Sequence, residues 1–327
     1  MASSKQLMGM IRSHAAGDES MFLSIVEHIA LDAERAGRGR MAGEIRTLVG
    51  NLRSEAASRR PATRPTPIAS PRGELAGLVR ATYPETRISD LVLSDSAESR
   101  IRGIVREHGA IEALAERGLE PRRKLLLSGP PGTGKTMTAA ALAGELKLPL
   151  FTVMLDGVIT KYMGETAAKL RMVFDAASST RGVYFFDEVD ALATSRSSDN
   201  DIGEARRVLN SLLQFLEEDE SSSVLIAATN YPALLDDAIF RRFDAAFAYD
   251  LPDPAQIGRV IVARIGDFGL GDVDWRRVGD AGTGLSQADI VAAARDAART
   301  AVLDHEGVID TELLLQAIVD RREIHPK

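Results

Sequence analysis

One eight-residue stretch limits the folds open to this chain of 327 residues more than any other, and it reads Gly129-Pro130-Pro131-Gly132-Thr133-Gly134-Lys135-Thr136. It lies between an apolar run and an alanine-rich run, which predicts the order strand, glycine-rich turn, helix. At this spacing, backbone N–H groups of the turn can wrap the β- and γ-phosphates of a nucleotide at the helix N-terminus. The Lys135 ammonium is expected to reach the phosphate oxygens, and the Thr136 hydroxyl to hold Mg²⁺. A chance match is the alternative, but four fixed positions recur by chance in only about one chain in a hundred of this length.

Composition excludes several other classes of protein. The chain is 45% hydrophobic and 27% charged, as expected of a globular protein with a substantial core. It has no apolar run long enough to span a membrane and no signal-peptide pattern, so we expect a cytoplasmic protein without a membrane partner. With no cysteine and five scattered histidines, metal is expected only together with the nucleotide. The net charge of -7 argues against a general nucleic-acid-binding surface, although local basic patches are compatible with it.

The N-terminal residues 1–57 carry two apolar stripes at helical spacing. The stripes consist of Phe22, Ile25, Val26, Ile29 and Ala33, and of Met41, Ile45, Leu48, Val49 and Leu52. We predict a small helical bundle in which the stripes pack on one another; the alternative is that they bind a partner or a neighbouring subunit. Residues 58–72 combine four prolines and four arginines with no acidic residue, which is typical of an extended linker.

From residue 73 onward, short apolar runs alternate with helical patterns. The apolar runs lie at 125–127, 149–155, 183–186, 224–228 and 246–250, with helical stretches near 136–146, 166–177, 203–217 and 233–240. Such runs are typical of strands buried on both faces, so we predict an α/β fold in which 73–252 form a doubly wound parallel sheet. Residues 253–327 show helical patterns only and are predicted to form a helical lid, with helices starting at the N-caps Ser286 and Asp310.

Polar residues follow two of these predicted strands. The run 183–186 ends in the acidic pair Asp187-Glu188, and the run 224–228 is followed closely by Asn230. Because both ends lie at the edge where the phosphates are expected, we predict that Asp187 orders the Mg²⁺ shell and Glu188 activates the attacking water, to which Asn230 hydrogen-bonds. The alternatives are a solvated acidic turn and an asparagine that merely starts a turn. Asp190 is assigned no catalytic role, since a charge at a helix N-terminus accounts for it.

Two adjacent arginines, Arg241 and Arg242, follow the short helix expected at 233–240. They lie too far beyond the glycine-rich loop in the sequence to be expected to contact the phosphates bound by the same chain. In a ring of subunits, this edge would face the neighbouring nucleotide, which makes both residues candidates for arginine fingers acting in trans. Surface ion pairing is the alternative.

The motifs at 128–136, 186–192, 227–230 and 240–244 resemble those of the AAA+ ATPase family and occur in the same order. The likeness extends over roughly residues 90–321. It implies an ATPase with ATP and Mg²⁺ as cofactors, an α/β nucleotide subdomain with a helical lid, and a homo-hexameric ring. It also implies that hydrolysis threads a protein substrate through the central pore.

Three further segments resemble the protein-remodelling branch of that family. Lys161-Tyr162-Met163-Gly164 is similar to a pore loop whose aromatic and apolar side chains wedge against an extended polypeptide; a buried Tyr-Met pair is the alternative. The polar stretch 194–203 resembles a second pore loop. In the lid, residues 284–289 resemble the glycine-serine-x-alanine-acid motif that begins a lid helix in remodelling members. No arginine stands at the start of that helix, where clamp loaders carry a sensor arginine.

Short strings near the N-terminus, 11–14 and 17–18, together with the linker, also resemble stand-alone bacterial AAA+ proteins encoded beside a subtilisin-like serine protease in plasmid-stability and anti-phage systems. The chain itself has neither a G-x-S-x-G nor an H-E-x-x-H motif. We therefore expect a protein unfoldase or remodeller whose 1–57 bundle selects substrates, with a separate subtilisin-like protease as a partner. A nucleic-acid motor or loader, disfavoured by the acidic charge, and an ATP-switched assembly regulator are the alternatives.

Overall fold

A computed structural model describes residues 73–158, 163–192, 199–234, 237–266, 268–304 and 307–324, together with Gly43 and Pro71. The bundle predicted at 1–57 and the linker predicted at 58–72 therefore lie almost entirely outside the described residues. They stay predictions.

The described chain is built on a six-stranded sheet in the order β1-β3-β4-β5-β2-β6. The strands are β1 Val79–Thr82, β2 Lys124–Ser128, β3 Leu150–Val153, β4 Val183–Phe186, β5 Val224–Thr229 and β6 Ala245–Ala248. Strands β2 to β6 pair in parallel, as predicted for a doubly wound sheet. The edge strand β1 was not predicted and is antiparallel to β3, with Val79 opposite Val153. Its four residues are too few, and half too exposed, to produce an apolar run.

Helices cover both faces of this sheet, which explains why its inner strands are buried along nearly all of their length. The helices of this part of the chain are α1 Asp95–Gly109, α2 Ile111–Ala115, α3 Lys135–Leu146, α4 Leu155–Val158, α5 Met163–Ser179, α6 Asp199–Glu218 and α7 Asp237–Phe240. Along β4, Tyr184 and Phe186 face the core formed with α5 and α6, whereas Val183 and Phe185 face the core formed with α1 and α3. Alternate residues of one strand thus serve two hydrophobic cores.

The last part of the chain packs its helices around a third core. The helices are α8 Pro254–Ile265, α9 Trp275–Gly282, α10 Gln287–Asp304 and α11 Thr311–Ile324. The buried face of α10 is almost wholly alanine, so its neighbours can approach closely. The predicted N-caps are confirmed, because Ser286 Oγ accepts from the Asp289 N–H at 3.2 Å and Asp310 Oδ1 accepts from the Leu313 N–H at 2.9 Å.

Three local expectations differ from the structure. The lid is not purely helical, because β7 Gly269–Leu270 and β8 Val308–Ile309 form a parallel ladder; two-residue strands are too short to leave a periodic pattern. Helix α6 begins at Asp199 rather than near 203, since acidic residues that suggest a loop also suit the first turn of a helix. The helix expected at 233–240 is replaced by a 3₁₀ turn at Pro232–Leu234 and by α7, as short helices are marginal alone. Among the described helices, none has the length and apolarity to cross a membrane.

Candidate functional site

The glycine-rich loop joins β2 to α3 and depends on backbone conformations that glycine adopts most readily. Gly129, Gly132 and Gly134 have φ values of 144°, 75° and 98°. A Cβ atom added to Gly129 would lie 2.1 Å from the carbonyl oxygen of Tyr249, which directly follows β6. The Tyr249 hydroxyl in turn donates to Thr138 Oγ1 of α3 at 2.8 Å. The loop is therefore held tightly between the sheet and the helix that follows it.

Lys135 is buried, with only 6% of its surface exposed. Its ammonium group donates to the carbonyl oxygens of Gly129 at 2.7 Å and Pro130 at 2.8 Å. An ammonium group has three donors, so these bonds leave a third for an acceptor in the adjoining cavity. Burial lowers the pKa of Lys135, and the negative charge of Asp187 opposes that shift. The lysine is thus already in place at the loop, held by the loop's own carbonyl groups.

Asp187 connects the loop to the end of β4. Its Oδ2 accepts a hydrogen bond from Thr136 Oγ1 at 3.1 Å, and its Oδ1 accepts from the Glu188 backbone N–H at 3.0 Å. The structure thereby brings together the two residues predicted to hold Mg²⁺. A hydroxyl and a carboxylate at one point are hard oxygen ligands of the kind Mg²⁺ prefers, so the donor set fits that ion.

Glu188 has a left-handed backbone, with φ of 52°. For a residue other than glycine, this conformation costs about 1 kcal/mol. Such strain is often found where a side chain must be held at a functional site. Glu188 lines the same cavity as Lys135 and Thr136; its role in activating water stays a prediction.

Asn230 follows β5, and its backbone is held by Asp190, for which the sequence predicted only a charge at a helix N-terminus. Its backbone N–H donates to Asp190 Oδ1 at 3.1 Å, and Asp190 is buried with 6% exposure. Asp190 lies in the 3₁₀ turn Val189–Leu192, so the acidic charge does stand in a first turn. Its contact across 40 positions in the chain could not be read from the sequence, because nothing local distinguishes a carboxylate that reaches the next strand.

One cavity of about 510 Å³ is lined by Lys135, Thr136, Asp187, Glu188 and Asn230. Its walls are the glycine-rich loop, the acidic pair with Asn230, residues 90–93 before α1, and the lid helices α8 and α10. A cavity of about 630 Å³ lies elsewhere, beside Trp275 in the lid, and none of the predicted site residues lines it. The smaller cavity is the candidate site, because it contains the donors for phosphate and the oxygen ligands for a divalent ion.

The lid takes part in this cavity through contacts that its sequence did not predict. The Ala288 N–H donates to the Gly132 carbonyl at 3.0 Å, and Gln287 Nε2 donates to the Val92 carbonyl at 2.8 Å. As expected, no arginine stands at the start of α10, but Arg264 at the end of α8 and Arg295 two turns into α10 line the cavity. Arg295 lies beyond the motif at the start of α10, so that motif does not predict it.

Arg241 and Arg242 follow α7 and do not line the cavity of their own chain. Arg241 is exposed, and Arg242 forms an ion pair with Glu217 at 3.6 Å. The alternative of surface ion pairing therefore describes Arg242 within one chain. Exposed pairs contribute 1 kcal/mol at most, roughly, so this pair would not hold Arg242 against a stronger partner.

Two of the predicted pore-loop residues, Lys161 and Tyr162, lie outside the described residues. Met163 and Gly164 begin helix α5, so the expected glycine hinge lies in a helical first turn. The stretch expected as a second loop at 194–203 is likewise shortened by the start of α6 at Asp199. The first residues of α5 and α6 therefore take up part of both predicted loops.

Comparison with known proteins gives concordant matches. Residues 125–251 match the model of the "ATPase family associated with various cellular activities (AAA)". The chain is 39% identical over 264 residues to an uncharacterized AAA family ATPase, y4kL, of Sinorhizobium fredii, a match that covers 80% of this chain and 78% of the relative.

Two further relatives are larger proteins. The ATP-dependent zinc metalloprotease FtsH of a Sulfurovum species is 33% identical over 75% of this chain and 38% of its own length. Proteasome-activating nucleotidase 1 of Haloferax volcanii is 35% identical over 65% of this chain and 53% of its own length. The chain thus spans about half or less of these two relatives. Among solved structures, the crystal structure of the FIGL-1 AAA domain shares the fold, with a TM-score of 0.62 at 22% identity over 78% of this chain and 91% of that one.

Proposed function

We propose, from the premise that the chain belongs to the AAA family of ATPases, that its hydrolysis of ATP unfolds or remodels protein substrates and that it works as a homo-hexameric ring. The observation that carries this proposal is the meeting of Lys135, Thr136, Asp187, Glu188 and Asn230 around one cavity. Names of relatives favour a protein substrate, since one is an ATP-dependent protease and another activates a proteasome.

Within the cavity, each residue has a distinct part in the proposed hydrolysis. The loop N–H groups and Lys135 bind the phosphates, while Thr136 and Asp187 hold Mg²⁺, which when bound neutralises phosphate charge. The Glu188 carboxylate accepts the proton of the attacking water. Asn230 orients that water through its amide, which can both donate and accept. The hydrogen bond between Thr136 and Asp187 supports the pairing of the two Mg²⁺ ligands.

Assembly into a ring is proposed to complete the site. Arg241 and Arg242 lie outside their own chain's cavity, and Arg241 is exposed. These positions suit residues that reach the nucleotide of a neighbouring subunit, where an arginine stabilises the charge of the transition state. Each active site would then contain groups from two chains.

Substrate handling is assigned to parts of the chain outside the nucleotide site. Tyr162 and Met163 are proposed to grip an extended polypeptide in the pore, and residues 1–57 to select it. The FtsH relative is named as a zinc metalloprotease, but this sequence has no H-E-x-x-H motif, the zinc-binding motif of many metalloproteases. We therefore propose that any proteolysis is performed by a separate subtilisin-like serine protease, in a plasmid-stability or anti-phage system.

A hydrolysis-deficient variant tests the function directly. Glu188→Gln should bind Mg·ATP and turn it over at least about 100-fold more slowly, because the acceptor for the water proton is lost. With ATP it should retain substrate and partner, which mass spectrometry of co-purified proteins would identify, while Lys135→Ala should retain none. For the wild type, stimulation of ATPase activity by an unfolded protein and not by DNA is expected. Stimulation by DNA alone would favour the nucleic-acid motor, and stimulation by neither would favour the assembly regulator.

A further inference from the structure

Two consecutive arginines in the last turn of α11 hold the lid segment that contacts the phosphate loop. Arg321 Nε donates to Asp289 Oδ1 at 3.0 Å, with 26% and 19% of the two side chains exposed. The guanidinium of Arg322 donates to the carbonyl oxygens of Ala281 and Thr283, both at 2.6 Å. The turn between α9 and α10 is therefore held at both of its ends from the same helix.

Asp289 passes this anchorage on to the start of α10. Its Oδ2 accepts from Ser286 Oγ at 2.7 Å and from the Ser286 backbone N–H at 3.3 Å. Burial acts to raise the pKa of Asp289, but the hydrogen bonds from Ser286 and Arg321 outweigh it, so that pKa lies below its ordinary value. At neutral pH the carboxylate is thus ionised and can bind both neighbours.

The start of α10 is in direct contact with the phosphate loop. The Ala288 N–H donates to the Gly132 carbonyl at 3.0 Å. A Cβ atom at Gly132 would lie 2.6 Å from Ser286 Oγ and 3.0 Å from Ala288 Cβ, so the side chains of Ser286 and Ala288 pack directly on the glycine and leave no room for a side chain there. A displacement of Ala288 away from Gly132 would therefore remove this hydrogen bond to the loop.

We propose that Arg321 is a positioning residue of the nucleotide site: through Asp289 and Ser286 it keeps Ala288 against Gly132, and so maintains the loop conformation that binds ATP. This role rests on the proposed binding of the ATP phosphates at that loop. It links the end of the last helix to the phosphate-binding residues, although Arg321 itself does not line the cavity.

Steady-state kinetics of the full chain separate this role from a general contribution to lid stability. Arg321→Gln and Asp289→Asn should each raise KM for ATP about tenfold and leave kcat within about twofold, since the loop's binding conformation is disturbed while Glu188 and Asn230 are not. Because both act through one contact, the double variant should be no worse than the poorer single variant. If Arg321 only stabilises the fold, the apparent kcat should fall in proportion to the loss of folded protein while KM stays unchanged. That outcome would overturn the proposal.

The matched control is a second arginine–carboxylate pair in the same lid. Arg277 and Glu312 lie 3.0 Å apart between α9 and α11, and both are exposed. Arg277→Gln should leave KM unchanged; a rise in KM equal to that of Arg321→Gln would refute a specific role for Arg321.

Lys135→Ala distinguishes a failure of the positioning role from a failure of the proposed nucleotide site. If Lys135→Ala abolishes ATP binding while Arg321→Gln binds as the wild type does, only the positioning role is wrong; if Lys135→Ala binds normally, the site itself is misplaced.

Discussion

The buried carboxylate of Asp190 accepts a hydrogen bond from the backbone N–H of Asn230 at 3.1 Å. Asp190 lies in the 3₁₀ turn after β4 and Asn230 follows β5, so this contact ties the ends of two adjacent strands together. Glu188 precedes the same turn, and its carbonyl accepts from the Ala191 N–H at 2.8 Å. The turn that follows Glu188 is therefore tied to Asn230 through Asp190.

Replacing Asp190 should impair hydrolysis more than binding. In Asp190→Ala, the Asn230 N–H loses its buried acceptor, and we expect kcat to fall about tenfold with ATP affinity within about twofold. Asp190→Asn keeps an acceptor oxygen and should retain more activity than the alanine variant. ATP binding and single-turnover hydrolysis measure the two effects. Equal loss of binding and turnover in both variants would show a general structural defect instead.

The phosphate-binding role of Lys135 predicts loss of nucleotide binding on substitution. Lys135→Ala removes the cation held beside Gly129 and Pro130, so ATP affinity should fall by at least about 100-fold. Lys169→Ala is a suitable control, because Lys169 donates to the Gly157 carbonyl at 2.9 Å, outside the cavity. Equilibrium binding measures both. Micromolar ATP affinity in Lys135→Ala would place the nucleotide elsewhere.

A trans-acting role for Arg242 predicts that activity depends on assembly. Specific ATPase activity should rise with protein concentration as rings form, and Arg242→Ala subunits mixed with wild type should reduce activity more than in proportion to their fraction. Glu217→Ala is the matched control, since it breaks the same ion pair but keeps the arginine. Equal inactivation of the mixed rings by Glu217→Ala would show that activity depends on the ion pair and not on an arginine acting in trans. Arg241→Ala tests the adjacent candidate in the same way.

The predicted pore loop allows hydrolysis and substrate handling to be separated. Tyr162→Ala leaves Lys135, Thr136, Asp187, Glu188 and Asn230 unchanged, so basal ATPase activity should stay within about twofold of wild type. Unfolding of a protein substrate should be lost, because alanine cannot fill the spaces between substrate side chains, whereas Tyr162→Phe should retain it. Fluorescence of an unfolding reporter measures this. Normal unfolding by the alanine variant would contradict the pore assignment.

Deletion of residues 1–72 should separate recognition from the motor. Every residue of the described site lies beyond residue 72, so ring size and basal ATPase rate should be largely preserved. Binding of substrate, and of a subtilisin-like protease partner, should be lost if residues 1–57 provide the recognition surface. Light scattering, ATPase rates and pull-down of the partner measure the three properties. Collapse of the ring would show that the stripes in 1–57 are assembly contacts, and an unchanged pull-down would place recognition on the ATPase core.

Much of the nucleotide site was predictable because its determinants are local in the chain. The loop at 129–136 requires glycines at positive φ, a strand before it and a helix after it, and all of these leave marks within a few residues. Parallel strands buried on both faces produce continuous apolar runs, so the sheet could be predicted together with the edge at which Asp187 and Asn230 lie.

The remaining features were decided by tertiary structure. The antiparallel β1 strand, the bond from Asn230 to Asp190, and the anchorage of Gly132 through Ala288 to Arg321 all join residues far apart in sequence. A carboxylate, a serine or an arginine can satisfy its hydrogen bonds with many partners, and local propensity does not choose among them. The sequence by itself determined the conformations that short segments can adopt. Which polar groups meet depended on how hydrophobic burial brought those segments together, since a buried polar group must then bond to whatever lies within reach.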